Sequence, residues 1–238
     1  MRAALALIPA MMLGACNHAQ GGTHDGDHRK ISQSFPVGAF TKVALGGSAD
    51  VVVTVGGPPS VRAEGDAERI GRMDIRVDGD RLMIGSKRHG WHWNDGGGRV
   101  TVYVTMPSLA AAEIGGSGDM KIDKVQGGSF AASIGGSGDM QIASLQTGEA
   151  SASIAGSGSI TAGGKAQHAS LSIAGSGDLD LGNLEVRTAT VSMVGSGNAA
   201  IKAVESADVN IMGSGNVTVT GGGKCQVSKM GSGSANCG

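Results

Sequence analysis

Apolar and polar residues alternate through the second half of the chain, on both sides of a recurring Gly-Ser-Gly motif. The spacing between successive motifs is 18 to 20 residues, and Asp, Asn or Ser follows each one. Alternation with a period of two is typical of a half-buried β-strand, and a motif with two glycines does not suit a helix. Each unit is therefore predicted to be strand, corner, strand. The serines of the seven motifs are Ser117, Ser137, Ser157, Ser176, Ser196, Ser214 and Ser232.

Seven copies of one short unit predict a solenoid. The units are too short to contain a crossover helix, so we expect them to stack in parallel as the coils of a β-helix. The predicted fold class is all-β, a parallel β-helix with coils of 18 to 20 residues. The glycines fit this fold because every stacked corner needs the same positive φ, which glycine adopts without steric cost.

Aligning the units on their serines also assigns the inward positions. Residues three and five positions before and after each serine are mostly aliphatic or Met, and those seven before it are mostly Ala. The alanines predict a narrow interior in which the sheets approach closely. Phe130 interrupts them and is expected where neighbouring coils leave room. Lys229 stands where earlier coils have Ile or Met, as expected for the polar last coil of a solenoid.

The segment 31–109 follows the pattern less regularly and is predicted to form irregular coils before the regular ones of 110–238. Gly47-Ser48-Ala49 matches the motif, with Ala in place of the second glycine. Asp78-Gly79-Asp80 lies between two alternating runs and predicts a hairpin. A glycine-rich loop at 87–99 carries Trp91 and Trp93.

The start of the chain predicts export and a lipid anchor. An apolar run over 3–13 is too short to span a bilayer and fits a signal peptide at 1–15. Leu13-Gly14-Ala15-Cys16 resembles the bacterial lipobox, which implies lipidation of Cys16; an ordinary signal peptide with a chance cysteine is the alternative. The segment 16–30 is expected to be the lipidated cysteine and a flexible tether. By the same resemblance, Asn17 favours the outer membrane, with a periplasmic or surface-facing orientation left open.

With Cys16 assigned to lipid, Cys225 and Cys237 remain as a pair in a compartment that permits disulfides. Both fall on inward positions of the last coil. A disulfide that caps the solenoid is therefore predicted.

Composition narrows the classes of function. The chain has 43 Gly among 238 residues, yet its 40% apolar and 16% charged content does not match disorder. A formal net charge of −1 gives no electrostatic signature of nucleic-acid binding. The expected partners are the membrane, through the anchor, and a glycan or an envelope protein, with no nucleic acid.

Four segments carry a resemblance to a known family: Phe40-Thr41-Lys42-Val43, Gly47-Ser48-Ala49-Asp50-Val51, Asp80-Arg81-Leu82 and the later Gly-Ser-Gly-Asp/Asn repeats. Through them the chain resembles the auto-transporter adhesin head GIN domain family of bacterial lipoproteins, over residues 35–235. The resemblance implies a right-handed parallel β-helix with an adhesin-like role.

Two polar positions recur in the repeats and are candidate sites, one for calcium binding and one for catalysis. The Asp and Asn residues after the motifs could bind Ca²⁺, but the period and the replacement by Ser and Asn favour hydrogen bonding at the turn. Seven serines in register could be nucleophiles, but each needs a base, and His168 is the only histidine in the repeats. No catalytic residue, metal or cofactor is expected. The ladder residues are Asp119, Asp139, Asp178, Asn198 and Asn216.

Two segments outside the repeats carry other candidate chemistry. Trp91 and Trp93 could stack on sugar rings or bind a partner, although covering the N-terminal side of the solenoid is favoured. The segment His24-Asp25-Gly26-Asp27-His28 has possible metal ligands but is expected to be a solvated linker. The expected function is a non-catalytic envelope lipoprotein, an adhesin-like or structural binding module. The alternatives are a carbohydrate-active β-helix enzyme and a periplasm-facing stress or assembly factor.

Overall fold

The computed structural model of the protein describes residues 29–87 and 99–238, which form seventeen strands and one short helix. The N-terminal elements are β1 (Lys30–Phe35), β2 (Lys42–Gly47), β3 (Asp50–Val55), β4 (Ser60–Asp66), α1 (Ala67–Gly71), β5 (Met73–Asp78), β6 (Arg81–Ser86) and β7 (Val100–Met106). They are followed by β8 (Ala111–Gly116), β9 (Met120–Ile122), β10 (Val125–Gly136), β11 (Asp139–Gly156), β12 (Ser159–Gly175), β13 (Asp178–Gly195), β14 (Asn198–Gly213), β15 (Asn216–Thr220), β16 (Lys224–Met230) and β17 (Ser234–Cys237).

The Gly-Ser-Gly units stack in parallel, one coil on the next. A Gly-Ser-Gly corner separates β8 from β9, and the same corner separates each long strand from the one that follows. The parallel register pairs residues one repeat apart, so Met140 lies between Met120 and Ile160, and Ile160 pairs with Leu179. The predicted parallel β-helix with coils of 18 to 20 residues is confirmed.

The inward positions predicted from the alternation form one continuous core in these coils. Ile134, Ile154 and Ile173 follow one another in register and are almost completely buried. Phe130 is also buried, and it pairs with Ala150 on one side, while Ala110 occupies the same place in the preceding coil. The two alanines provide the room that the large ring needs.

Both glycines of each corner lie where the stacked backbones leave no room for a side chain. A Cβ on the first, Gly136, would lie 2.2 Å from the carbonyl oxygen of Gly116 in the preceding coil, and a Cβ on the second, Gly138, would lie 2.1 Å from that of Gly118. The first glycine also has a positive φ, 149° at Gly136, whereas the second lies outside that region. The expectation of an unusual φ therefore holds for the first glycine only, and close stacking requires glycine at both.

The N-terminal coils do not stack in chain order. β2 lies between β6 and β8, and β3 lies between β7 and β9, all in parallel. Along the rod the order is thus β6–β7, then β2–β3, then β8–β9. The sequence predicts irregular coils in this part of the chain, but it does not predict this exchange of their order.

Antiparallel strands and α1 close the N-terminal end. β4 pairs antiparallel with β7, β1 pairs with β4, and β5 pairs with β6 in the hairpin predicted at Gly79. α1 connects β4 to β5 and begins after Asp66, whose side chain accepts a hydrogen bond from the Arg69 N–H at 3.0 Å. Ile70 of this helix is buried, so the helix covers apolar core that would otherwise face water.

The C-terminal end is a coil with a neighbour on one side only. Lys229 follows Ile211 in register, as predicted, and its Nζ donates to the Gly233 carbonyl oxygen at 3.4 Å. Cys225 of β16 and Cys237 of β17 form the predicted disulfide. Val227, which corresponds to buried residues in earlier coils, is 45% exposed because no coil covers it.

Candidate functional site

A groove of about 400 Å³ crosses the outer surface of β10, β11, β12 and β13. We call it the outer groove and define it by two rows of outward residues and the inward row between them. The first row is Ser129, Glu149, His168 and Thr188, and the second is Ala131, Ser151, Ser170 and Thr190. The inward row is Ala110, Phe130, Ala150 and Ala169.

The alanines of the inward row help to explain why a groove forms at this place. A short side chain allows the wall of the solenoid to approach the opposite wall, which leaves a depression on its outer side. The outward residues of the second row are also small, so they do not fill the depression. Ala150 and Ala169 are buried beneath it.

Polar groups of the groove are aligned by the parallel register. Glu149 pairs with His168, and His168 pairs with Thr188, so their side chains recur at about 4.8 Å along the rod. His168 Nδ1 and Thr188 Oγ1 are 2.7 Å apart and hydrogen-bonded. Glu149 is exposed. The groove therefore offers hydroxyls, an imidazole and a carboxylate on one surface.

His168 is recognisable in the sequence as a histidine of the repeats, but the groove around it is not. In the sequence, the groove corresponds to an inward Ala with outward residues, mostly Ser or Thr, immediately before and after it. Each part of that pattern is common in β-strands and gains meaning only when three or four coils are placed in register. The polar groove residues that the sequence did not indicate are Ser129, Glu149, Ser151, Ser170, Thr188 and Thr190.

The Asp and Asn ladder lies on the other side of the corners and connects successive coils. Asp139 Oδ1 accepts hydrogen bonds from the Ser159 N–H at 3.1 Å and from Ser159 Oγ at 2.7 Å. Asp178 Oδ1 accepts from the N–H and Nδ2 of Asn198 at 3.0 and 2.8 Å. These side chains therefore bind the backbone, as the favoured interpretation proposed, but the donor belongs to the next coil.

A charged row lies on a further outward surface. Glu185 is 2.7 Å from Lys202 Nζ and 3.5 Å from Lys165 Nζ. The hydrogen bond from Lys202, helped by the positive charges of both lysines, lowers the pKa of the Glu185 carboxyl below its ordinary value. This row stabilises contacts between coils and is separate from the outer groove.

Three predicted site residues, Cys16, Trp91 and Trp93, lie outside the described residues, as does the His24–His28 segment. The strands that flank the tryptophan loop are described: β6 ends at Ser86 and β7 begins at Val100. Since β6 stacks on β2 and β7 on β3, this loop joins two strands that the other coils join with a Gly-Ser-Gly or Gly-Ser-Ala corner. In the described part of the chain, no helix is long and apolar enough to cross a membrane.

Comparison with solved structures gives the same fold. A putative adhesin from Bacteroides fragilis is 23% identical, with a TM-score of 0.83 over 88% of this chain and 97% of that one. A putative lipid binding protein from Parabacteroides distasonis is 24% identical, with a TM-score of 0.70 over 90% and 98%. A putative adhesin from Parabacteroides merdae is 18% identical, with a TM-score of 0.71 over the same shares. No curated protein matches the chain.

The sequence itself matches a family model over residues 39–223, which includes all coils except the last one, the outer groove and the tryptophan loop. That family is described as "Putative auto-transporter adhesin, head GIN domain". Because the match covers most of the chain, the protein belongs to the GIN domain family.

Proposed function

We propose that the protein is a non-catalytic lipoprotein of the cell envelope that works as an adhesin-like binding module. The observation that carries this proposal is the outer groove, a depression of about 400 Å³ along which polar side chains of four successive coils are aligned. Concave surfaces with a few aligned polar groups are the usual form of binding sites. The adhesin description of the family agrees with a role in binding at the envelope or surface.

The position of the groove on the rod suits a tethered binding module. The described chain enters the solenoid through β1, which is the outermost strand at the N-terminal end. From β1 the strands follow in the order β4, β7, β3, β9 and β11, which is five strand spacings or about 24 Å. A lipid on Cys16 would thus hold the rod by one end and leave the groove away from the anchor.

A carbohydrate-active enzyme is the main rival. Glycoside hydrolysis generally uses two carboxyl groups on opposite sides of the scissile bond. Of the twelve residues that line the outer groove, Glu149 is the only one with a carboxylate. The groove therefore supports binding more directly than hydrolysis.

Lipid binding, suggested by the name of one structural neighbour, has less support. An acyl chain needs a deep apolar pocket, whereas the outer groove is open and its two outward rows consist mainly of hydroxyl residues.

The envelope location is tested by fractionation and surface proteolysis of cells that express the full chain. We expect the wild type in the outer-membrane fraction, and we expect Cys16→Ser to release it because the lipid is lost. Recovery of the wild type in a soluble fraction would contradict the proposal. Degradation by protease added to intact cells would indicate an outward-facing adhesin, and protection would favour the periplasm-facing assembly factor instead.

A further inference from the structure

We propose that the outer groove binds a neutral, polyhydroxylated glycan chain that lies along the rod, with Glu149 as its central hydrogen-bond acceptor. This inference rests on the proposed function, because it names the ligand of the same groove. It places the glycan site on the face formed by β10–β13, whereas the sequence offered the tryptophan loop only as the less favoured alternative for sugar binding.

The first support is the hydrogen-bonding capacity of the groove. Within the described part of the chain, the side chains of Glu149, Ser170 and Thr190 have no hydrogen-bond partner. A carboxylate accepts hydrogen bonds with two oxygens, and each hydroxyl both donates and accepts. A sugar offers several hydroxyls at close spacing, so it can satisfy these groups together.

The second support is that the groove lacks the features of a protein-binding surface. Interfaces between proteins depend on large anchors such as Trp, Tyr and Arg. The one large side chain in the groove lining, Phe130, is buried with only 3% exposed. A peptide also cannot add to the sheet as a further strand, because β11 and β12 are paired on both sides by parallel neighbours.

The third support is the charge of the groove. Glu149 is its only carboxylate, and its lining contains neither Lys nor Arg. An anionic polymer would bring its own charges against Glu149 without a cation to compensate them. A neutral glycan avoids this repulsion and still provides donors for the carboxylate.

The fourth support is the length and direction of the groove. Ser129, Glu149, His168 and Thr188 are four positions in successive coils, which gives about 14 Å along the rod. The equivalent groups therefore repeat along a line that crosses the strands. This arrangement fits a linear chain of several sugars better than a single sugar.

The test measures binding of the full-length lipoprotein, in detergent, to named polysaccharides by affinity electrophoresis. The gels contain dextran, mannan or xyloglucan as neutral probes, or alginate as an acidic one. We expect at least one neutral polysaccharide to retard the wild type and alginate to have no effect. Glu149→Gln should weaken binding about tenfold, because a hydrogen bond to a charged acceptor is lost.

Two tyrosine variants locate the site. Ser170→Tyr places a large side chain in the second row and should abolish retardation. Gln141→Tyr makes the same kind of change at an exposed outward position of β11 on the other side of the corners, and it should bind as the wild type does. Thermal melting checks that each variant is folded. If Ser170→Tyr is unfolded, Glu149→Gln still tests the site.

The proposal is overturned if none of the three neutral polysaccharides retards the wild type, if alginate binds more strongly than they do, or if both Glu149→Gln and Ser170→Tyr bind normally. These outcomes are distinct from failure of the proposed function. A wild type that reaches the outer membrane but binds no neutral polysaccharide refutes the glycan alone. A wild type found in the soluble fraction refutes the envelope role, whatever it binds in the gel.

Discussion

At the scale of single residues, the second glycine of each corner shows the effect of close stacking alone, without a positive φ. A Cβ on Gly138 would lie 2.1 Å from the Gly118 carbonyl oxygen, and the same contact recurs at Gly158 and Gly197. The atoms involved are backbone, so no side-chain rotation relieves the clash. The recurrence of Gly at this position is thus a consequence of how closely the coils stack.

We expect Gly138→Ala to lower the free energy of unfolding by about 2–4 kcal/mol, since one coil must shift away from the next. Gly127→Ala is the matched control, because a Cβ there has no atom within 4 Å. It should leave the free energy of unfolding unchanged or raise it by less than about 1 kcal/mol, because alanine makes the unfolded chain less flexible. Urea denaturation measures both. Equal effects of the two substitutions would contradict the stacking explanation.

The positions of single residues also explain why the groove could not be predicted from the sequence. The inward alanines and Phe130 were assigned correctly from the alternation, because each position depends on its own unit. The groove depends on Glu149, Ser170 and Thr190 becoming neighbours, although they are 20 or more residues apart. Only the register between coils brings them together.

At the scale of elements, ion pairs connect neighbouring strands of the regular coils. Glu185 of β13 contacts Lys202 of β14 and Lys165 of β12, so one carboxylate serves two strand pairs. Its pKa is lowered in the folded protein, mainly by the hydrogen bond from Lys202. A carboxyl whose pKa is lower in the folded state adds stability above the unfolded pKa, and this stability is lost as the pH falls through the folded value.

The expected outcome is that Glu185→Gln lowers the melting temperature at pH 7 and has a progressively smaller effect as the pH falls below the ordinary value of 4.5. The side chains of Glu185 and Lys202 are only half-buried, so the effect at pH 7 should be small and should decrease further with added salt. Melting curves from pH 7 to pH 3 provide the measurement. A difference that stays constant over this range would show that charge is not the cause.

The disulfide acts on the last two strands. β16 and β17 are joined by Cys225 and Cys237, which are 12 residues apart, and within residues 29–87 and 99–238 each of these strands has a parallel neighbour on one side only. Closing a loop of this size restricts the unfolded chain and so raises the free energy of unfolding by about 2–3 kcal/mol. The bond therefore offsets the missing neighbour at this end.

We expect the Cys225→Ser, Cys237→Ser double variant to increase amide hydrogen exchange in β16 and β17 much more than in β11 and β12. The reason is that the terminal coil loses its link while the inner coils keep neighbours on both sides. Mass spectrometry of peptides from each region gives the comparison. Uniformly faster exchange throughout the rod would mean that the disulfide supports the whole fold rather than its end.

At the scale of the whole molecule, the predictable and unpredictable parts of the fold divide near Ala110. The later coils could be derived because each repeat carries its own corner glycines and the alternation fixes which side faces inward. The earlier part has the same alternation in β2, β3, β6 and β7. Alternation predicts which face of a strand is buried, but it does not predict which strands pair. α1 is only five residues long and follows a strand directly, so its signal was too short to separate from a turn.

The exchanged order of the first coils also has a kinetic consequence. β2 and β3 are synthesised before the other coil strands, yet their neighbours β6 to β9 end only at Ile122. The regular coils, in contrast, meet partners that are 18 to 20 residues away. Loop closure favours such short separations, so the repeats should assemble early and the amino-terminal strands late. The chain is synthesised from its amino terminus, but its rod would then be completed from the carboxy-terminal coils toward the amino-terminal ones.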